Sequence, residues 1–328
     1  MTVPLAVHAG DQTRDADWDD LVRRSVNGTF LHTRAYLGYH GTRFDDRSLA
    51  IRSPKGRLLA VVPAAAHPAE AGTVVSHPGI TYGGVVHDGA LTGLAMSDAL
   101  TACCQAWREQ GFHTLVYKTV PAIYHSIPAQ DDRWALHQLG AILARRDLSA
   151  TLDLTLLPMG DRNRRRNLAK ARDSGIEIRS GADLVEIFWP MLESNLRDRF
   201  GVTPVHSSDE IRDLLRRCPD DIRCDVAFLA GEAVAGVVHY STTTVEHPQY
   251  SASSEAGRDV GALDALFQHG IAQARDRGAR WYDFGISTEA NGSRLNDKLH
   301  QFKTSFGGGG VTYDWYTVPL ERRDASAR

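Results

Sequence analysis

Long apolar runs are missing from this 328-residue chain. Its longest stretches, such as 58–66, fall far short of the ~20 residues that cross a bilayer, so no transmembrane segment is expected. No basic segment leads into an apolar core at the N-terminus, which argues against a secretory signal and for a cytoplasmic protein. Cysteine is sparse. Cys103 and Cys104 are adjacent while Cys218 and Cys224 stand apart, a spacing that makes neither a disulfide framework nor a zinc site. Several catalytic signatures are also absent. There is no G-x-S-x-G elbow, no H-E-x-x-H pair and no Ser-His arrangement, and no metal is expected. Lysine is rare: only Lys55, Lys118, Lys170, Lys298 and Lys303 stand among the 37 basic residues. In so arginine-biased a chain, a retained lysine marks a place for a compact, titratable ammonium. An excess of one charge is lacking too, with 37 Lys and Arg against 40 Asp and Glu. A polyanionic partner must therefore be met by a local patch, and DNA is not an expected partner.

What is present is ordinary globular material, 42% hydrophobic and 23% charged, at a length suited to about two domains. The order of elements repeats. In the first half, two apolar runs flank Pro54-Lys55-Gly56 as a hairpin, and a strand over 73–75 follows. A helix over 95–108 and the strand FHTLVYK complete the set. In the second half, helices over 183–199 and 208–217 precede a hairpin turning near Gly231-Glu232. A strand near 249–253, a helix over 262–277 and the strand ARWYDFG then follow. Asp98-Ala99-Leu100 and Asp264-Ala265-Leu266 match within the two long helices, which suggests duplication. The expected fold is mixed α+β (α/β): two tandem domains, each a mixed, mostly antiparallel sheet flanked by helices. The division is expected at 1–150 and 151–320, with a disordered polar tail over 321–328.

Two segments carry chemistry. DRNRRRNLAKARDSG concentrates Arg164, Arg165 and Arg166 on an amphipathic helix, and clustered guanidiniums bind phosphates; a solvated helix face is the alternative reading. WYDFGISTEANGSRLNDKLHQFKTSFGGGG ends a strand at Asp283-Phe284-Gly285 and brings Phe302-Lys303 just before a glycine run. A lysine there can stabilise an oxyanion or bind an anion. Lys118 ends the strand equivalent to the one ending at Asp283, where α/β sheets often bind ligands.

The tandem layout, the Arg-Asn-Leu-Ala-Lys-Ala run, Tyr82-Gly83-Gly84 and the Phe302-Lys303…Phe306-Gly307 ending resemble the FemABX transferases. These are double GNAT-fold proteins that move an aminoacyl group from aminoacyl-tRNA to an amine. The resemblance covers roughly residues 18–318. It implies two GNAT-like domains, a catalytic Phe302-Lys303 pair, and an acceptor-phosphate arginine at Arg197 or Arg199. With Asp283 as a candidate base, the substrate contacts would come from Lys118, Tyr82 and the arginine cluster. It also implies an amine-bearing acceptor, a small molecule or a cell-envelope precursor, with no tightly bound cofactor. The long coiled-coil insertion that some Fem enzymes use for tRNA is not seen. Acetyl-CoA-dependent GNAT proteins carry Gln/Arg-x-x-Gly-x-Gly/Ala at a strand-to-helix junction. Here Arg258 and Gly261 match, but Leu263 replaces the final small residue. An acyl-CoA N-acetyltransferase is therefore the alternative, and a non-catalytic GNAT-like binding module the second.

Overall fold

The computed structural model describes residues 5–10, 13–156 and 161–321. The chain divides into two compact units: 1–147 with 291–293 and 312–328, and 148–290 with 294–311. The sequence-based division at 150/151 differs chiefly at the end, where residues 312–320 join the first unit. Alternating apolar residues mark a strand but do not name its partner. The partner is Thr114–Lys118, in a register that sets Trp315 opposite Lys118 and Val318 opposite Leu115. Residues 322–328, most of the expected tail, lie outside the described residues.

In the first unit an antiparallel sheet runs in the order Ala6–Ala9, Leu49–Arg52, Leu58–Val62, Val86–His87. Gly56, at φ +80°, closes the hairpin expected at Pro54-Lys55-Gly56. The strand Thr73–Val75 lies parallel to Thr114–Lys118, and the helix Leu94–Glu109 makes the crossover between them. Its apolar stripe, with Met96, Leu100, Cys103 and Trp107, is buried in the core.

The second unit repeats this order. A hairpin of Ile222–Leu229 and Glu232–Ser241 turns through Ala230 and Gly231, both at positive φ, as expected at that point. Glu177–Ser180 pairs on its outer side. On its inner side Val245–Ser253 pairs antiparallel, then Trp281–Ile286 parallel to that strand, then residues 148–153 antiparallel. The helices are Arg162–Asp173, Val185–Phe200, Ser208–Arg217, Glu255–Val260, Ala262–Asp276 and Asp297–Thr304. Ser207 and Glu210 form a capping box that starts the third of them. Phe267, Phe284 and Phe306 meet with ring centroids 4.8–5.6 Å apart and centre the core. Among the described residues no helix is long and apolar enough to cross a membrane.

The sheet of the second unit has an irregularity. The parallel pairing of Val245–Ser253 with Trp281–Ile286 covers only Val245–Trp281 and Glu246–Tyr282. Beyond it the strands part, and the His247 ring enters the opening with Nδ1 2.7 Å from the Asp283 carbonyl oxygen.

Candidate active site

A cavity of about 480 Å³ opens in the second unit at the far end of Val245–Ser253. Ser251, Ala252 and Ser253 supply one wall, and Leu192, Asn195 and Leu196 of the Val185–Phe200 helix another. Arg164 and Asn167 enter from the Arg162–Asp173 helix, Gly261, Leu263 and Asp264 from the junction at 261, and Leu299 and Phe302 from the Asp297–Thr304 helix. Local sequence fixes these helix starts. Asp161 accepts the Arg164 N–H at 2.9 Å, Ser254 the Gly257 N–H at 3.1 Å, and Asn296 the Leu299 N–H at 3.1 Å. Gly261 has φ +74°, and a Cβ there would lie 2.7 Å from the Asn167 carbonyl oxygen. The glycine therefore lets two helices approach closely.

Arg164 is the organising side chain. Its Nη1 meets Asp264 Oδ1 at 2.5 Å, and its guanidinium lies 4.8 Å from the Phe302 ring centre and 5.2 Å from that of Phe306. Both partners of the ion pair are largely buried. Burial raises the Asp264 pKa above the ordinary value, against the lowering effect of Arg164. Arg258 stands exposed at the cavity wall, with Nη1 donating to the Ser253 carbonyl at 2.8 Å. A second cleft of about 340 Å³ shares Asn195 and Arg258 with the cavity and adds Met191, Ser194, Asp198, Ser254 and Glu255.

The structure thus gathers Arg164, Arg258, Gly261 and Phe302, and places the other expected residues elsewhere. Arg164, Arg165 and Arg166 do not share one face of their helix. The helical turn sends Arg164 inward, while Arg165 and Arg166 are exposed on the face that also carries Arg162. Arg197 is exposed and outside both cavities; the side chain of Arg199 lies outside the described residues. Asp283 is fully buried and accepts hydrogen bonds from Ser149 Oγ and, at 2.9 Å, Thr151 Oγ1, so it does not face an incoming amine. Lys303, expected in the acyl crevice, instead donates to the carbonyls of Gly285 at 2.8 Å and Ile286 at 2.7 Å. Burial lowers its pKa to about 8, with Asp283 acting in the opposite sense. Lys303 therefore ties the Asp297–Thr304 helix to the end of the parted strand. Lys303→Met is expected to lose about 1.5–3 kcal/mol of stability, and Lys303→Arg less, measured by urea unfolding.

Lys118 and Tyr82 belong to the first unit. Tyr82 packs on the rings of Tyr124, His32 and Tyr313. Lys118 is 1% exposed, donates to the Ile80 carbonyl, and lies 5.0 Å from the centre of the Trp315 ring. Burial, followed by Arg145, lowers its pKa from 10.5 to about 7. Between those values the unfolded chain holds the extra proton, so this group's contribution to stability rises with pH. Lys118→Met removes the rise. Relative to wild type, the variant is expected to be most stable below pH 7 and to lose that advantage toward pH 10 in urea unfolding at a series of pH values.

Sequence reasoning missed Asn167, Asn195, Leu192 and Asp264 as site residues. Asp264 was visible only as part of an internal repeat, and its partner lies 100 residues away.

A family model described as an acetyltransferase (GNAT) domain matches residues 160–302, which include every cavity residue. No curated protein matches the chain by sequence. Among solved structures, FemX is similar over 95% of this chain and 96% of its own, at 13% identity and a TM-score of 0.68. The C-terminal domain of a protein assigned as a lysylphosphatidylglycerol synthetase from Agrobacterium fabrum is similar over 92% and 90%, at 14% identity and 0.60. A tandem GNAT protein from the clavulanic acid biosynthesis pathway is similar over 98% and 100%, at 14% identity and 0.53. The likenesses bear out the tandem GNAT-like fold expected from the sequence, and within it residues 160–302 match the GNAT acetyltransferase domain.

Proposed function

We propose that the protein transfers an aminoacyl group from the 3′ end of a charged tRNA directly to an acceptor amine. One observation carries the choice of donor. The N-terminus of the Ala262–Asp276 helix, the natural seat for a CoA pyrophosphate, is crowded by oxygen-bearing groups that disfavour an anion. Asp264 places a carboxylate in its first turn, and the Asn167 carbonyl closes on Gly261. A pyrophosphate there meets two oxygen-bearing groups and the Leu263 side chain. The arginines on the outer face of the Arg162–Asp173 helix supply the alternative, a phosphate-binding patch beside the cavity. One similar structure is named for an aminoacylated lipid product, in keeping with this donor class.

In this reading the acyl group occupies the cavity and the acceptor enters through the adjoining cleft, where Asp198 and Glu255 hold an ammonium and take its proton. The amine nitrogen bonds to the ester carbonyl carbon, the ester C–O bond breaks, and the ribose hydroxyl leaves with a proton. No covalent enzyme intermediate is required. Arg258 and Gly261 favour a second reading, with an acyl-CoA donor. The test incubates the protein with a mixture of amines and either charged tRNA or acyl-CoAs, and reads new amides by mass. Aminoacyl adducts are expected with tRNA; acyl adducts from CoA alone would favour the second reading.

A further inference from the structure

Amide formation from an ammonium moves two protons. The first leaves when the ammonium becomes an amine, and the carboxylates of the cleft take it. Attack on the ester carbonyl makes the nitrogen cationic again. A second proton must then pass from it to the departing ribose oxygen. His247 has the form that a carrier for this second proton requires. The parallel pairing of its strand with Trp281–Ile286 ends at Glu246–Tyr282, and Pro248 has no N–H to continue the ladder. The Asp283 carbonyl oxygen accepts instead from His247 Nδ1, at 2.7 Å. A carbonyl only accepts, so Nδ1 carries the hydrogen of the neutral ring and Nε2 keeps its lone pair. Nε2 has no hydrogen-bond partner among the described residues, and the side chain is 17% exposed, so a reacting group can reach it. Gly285, at φ +78°, makes room for the ring: a Cβ there would lie 2.9 Å from His247 Cε1. The opening adjoins the cavity. Ser251, Ala252 and Ser253 continue the strand of His247 along the cavity wall. Leu299, one helical turn before Lys303 and on the same helix face, lines the cavity as well.

We infer that His247 Nε2 accepts the second proton from the attacking nitrogen and returns it to the ribose oxygen as the ester C–O bond breaks. This rests on the transfer to an amine read above and deepens it. The N–C bond forms, the C–O bond breaks, and the imidazole ends the cycle neutral, so no further reactant is consumed. The Asp283 carbonyl fixes the tautomer and the ring before substrate arrives. The surroundings favour the neutral form that a base must have. Burial lowers the His247 pKa below its ordinary value; Asp283 opposes this, while Lys303 and His239 act in the same sense as burial. Neighbouring groups do not compete for the role. Asp283 is buried beneath the Ser149 and Thr151 hydroxyls, and Lys303 is bound to two carbonyls.

The test uses the full chain in the amine assay, with the donor that yields amide, and follows the single-turnover rate at saturating acceptor. His247→Asn keeps an N–H for the Asp283 carbonyl and removes the base. It is expected to slow amide formation by about 10²–10⁴-fold. The wild-type rate is expected to fall in acid with a midpoint below 6.5, the ordinary histidine value, and this fall is expected to be absent from the variant. Nitrogen NMR of the wild-type imidazole is expected to show Nδ1–H at neutral pH and a titration midpoint that matches the fall. A loss of stability with the rate and its pH profile unchanged would mark a structural histidine and overturn the inference. An Nε2–H tautomer, an imidazolium at neutral pH, or a midpoint that does not match the fall would overturn it as well. If His247→Asn does not fold, the two wild-type midpoints decide. Amide from neither donor overturns the transfer reading and the carrier role with it, whereas amide formed equally fast by variant and wild type overturns the carrier role alone.

Discussion

Replacing Arg162, Arg165 and Arg166 together by alanine is expected to weaken tRNA binding about a hundredfold at low salt, and to flatten the salt dependence by about two to three units of log–log slope. All three side chains are exposed on the outer face of one helix, so the fold has little to lose. Surface substitutions of this kind usually change stability by less than about 0.5 kcal/mol. Filter binding across a salt series checks the first part and thermal unfolding the second. Lys170 and Arg172 continue the basic character of the helix and are left in place as a residual patch. The effect is expected to be the same for every tRNA sequence, because phosphate contacts carry no base information. Unchanged affinity with an unchanged salt slope would remove the patch from the account.

Arg164→Met is expected to have the opposite profile: a large loss of stability and of turnover together. The variant keeps an apolar stem over Phe302 and Phe306 but removes the guanidinium that pairs with Asp264. An uncompensated carboxylate is then left in a largely buried position, at a cost of about 3–5 kcal/mol. The sign of the pH dependence follows. Without Arg164 the Asp264 pKa rises further, so the deficit is greatest at neutral pH and shrinks as acid protonates the carboxylate. Adding Asp264→Leu is expected to recover most of the stability, since an apolar pair replaces the ionic one. It is not expected to recover turnover, because the cavity then lacks the Arg164–Asp264 ion pair. Urea unfolding at neutral and acid pH, set beside the amine assay, separates these outcomes.

Much of the fold is legible in the sequence because its signals are local. Gly56 and the Ala230-Gly231 pair specify turns, and Ser207 with Glu210 specifies a helix start. The apolar stripe from Leu266 to Ile271 marks the helix against the core. The repeated order of hairpin, strand, helix and parallel strand follows from these signals, and the tandem architecture follows from the repeat. The partner of the last strand does not. The segment 312–319 alternates as a strand should, but its pairing with Thr114–Lys118 is a choice among many edges that local sequence leaves open.

The site is less legible for a related reason. Arg164 was found by composition, but its separation from Arg165 and Arg166 depends on the rotation of the helix against the sheet. The Arg164–Asp264 pair joins residues far apart in sequence, and neither residue alone signals the other. Lys303 shows the limit from the other side. Its chemistry and position invite a catalytic reading, yet carbonyl groups at Gly285 and Ile286 already engage two of its three N–H donors. Which atoms a lysine reaches is decided by the end of a neighbouring strand, and sequence spacing does not encode that.

The proposed transfer depends on where the acyl group sits. The most direct measurement is hydrogen–deuterium exchange on the full chain with and without an amide analogue of a 3′-aminoacylated adenosine, which binds as the donor does but cannot transfer. Protection is expected in three separate stretches, 192–196, 251–264 and 299–303, which line the cavity or adjoin it. Protection confined to other segments, or no protection at a concentration that saturates the protein, would contradict it.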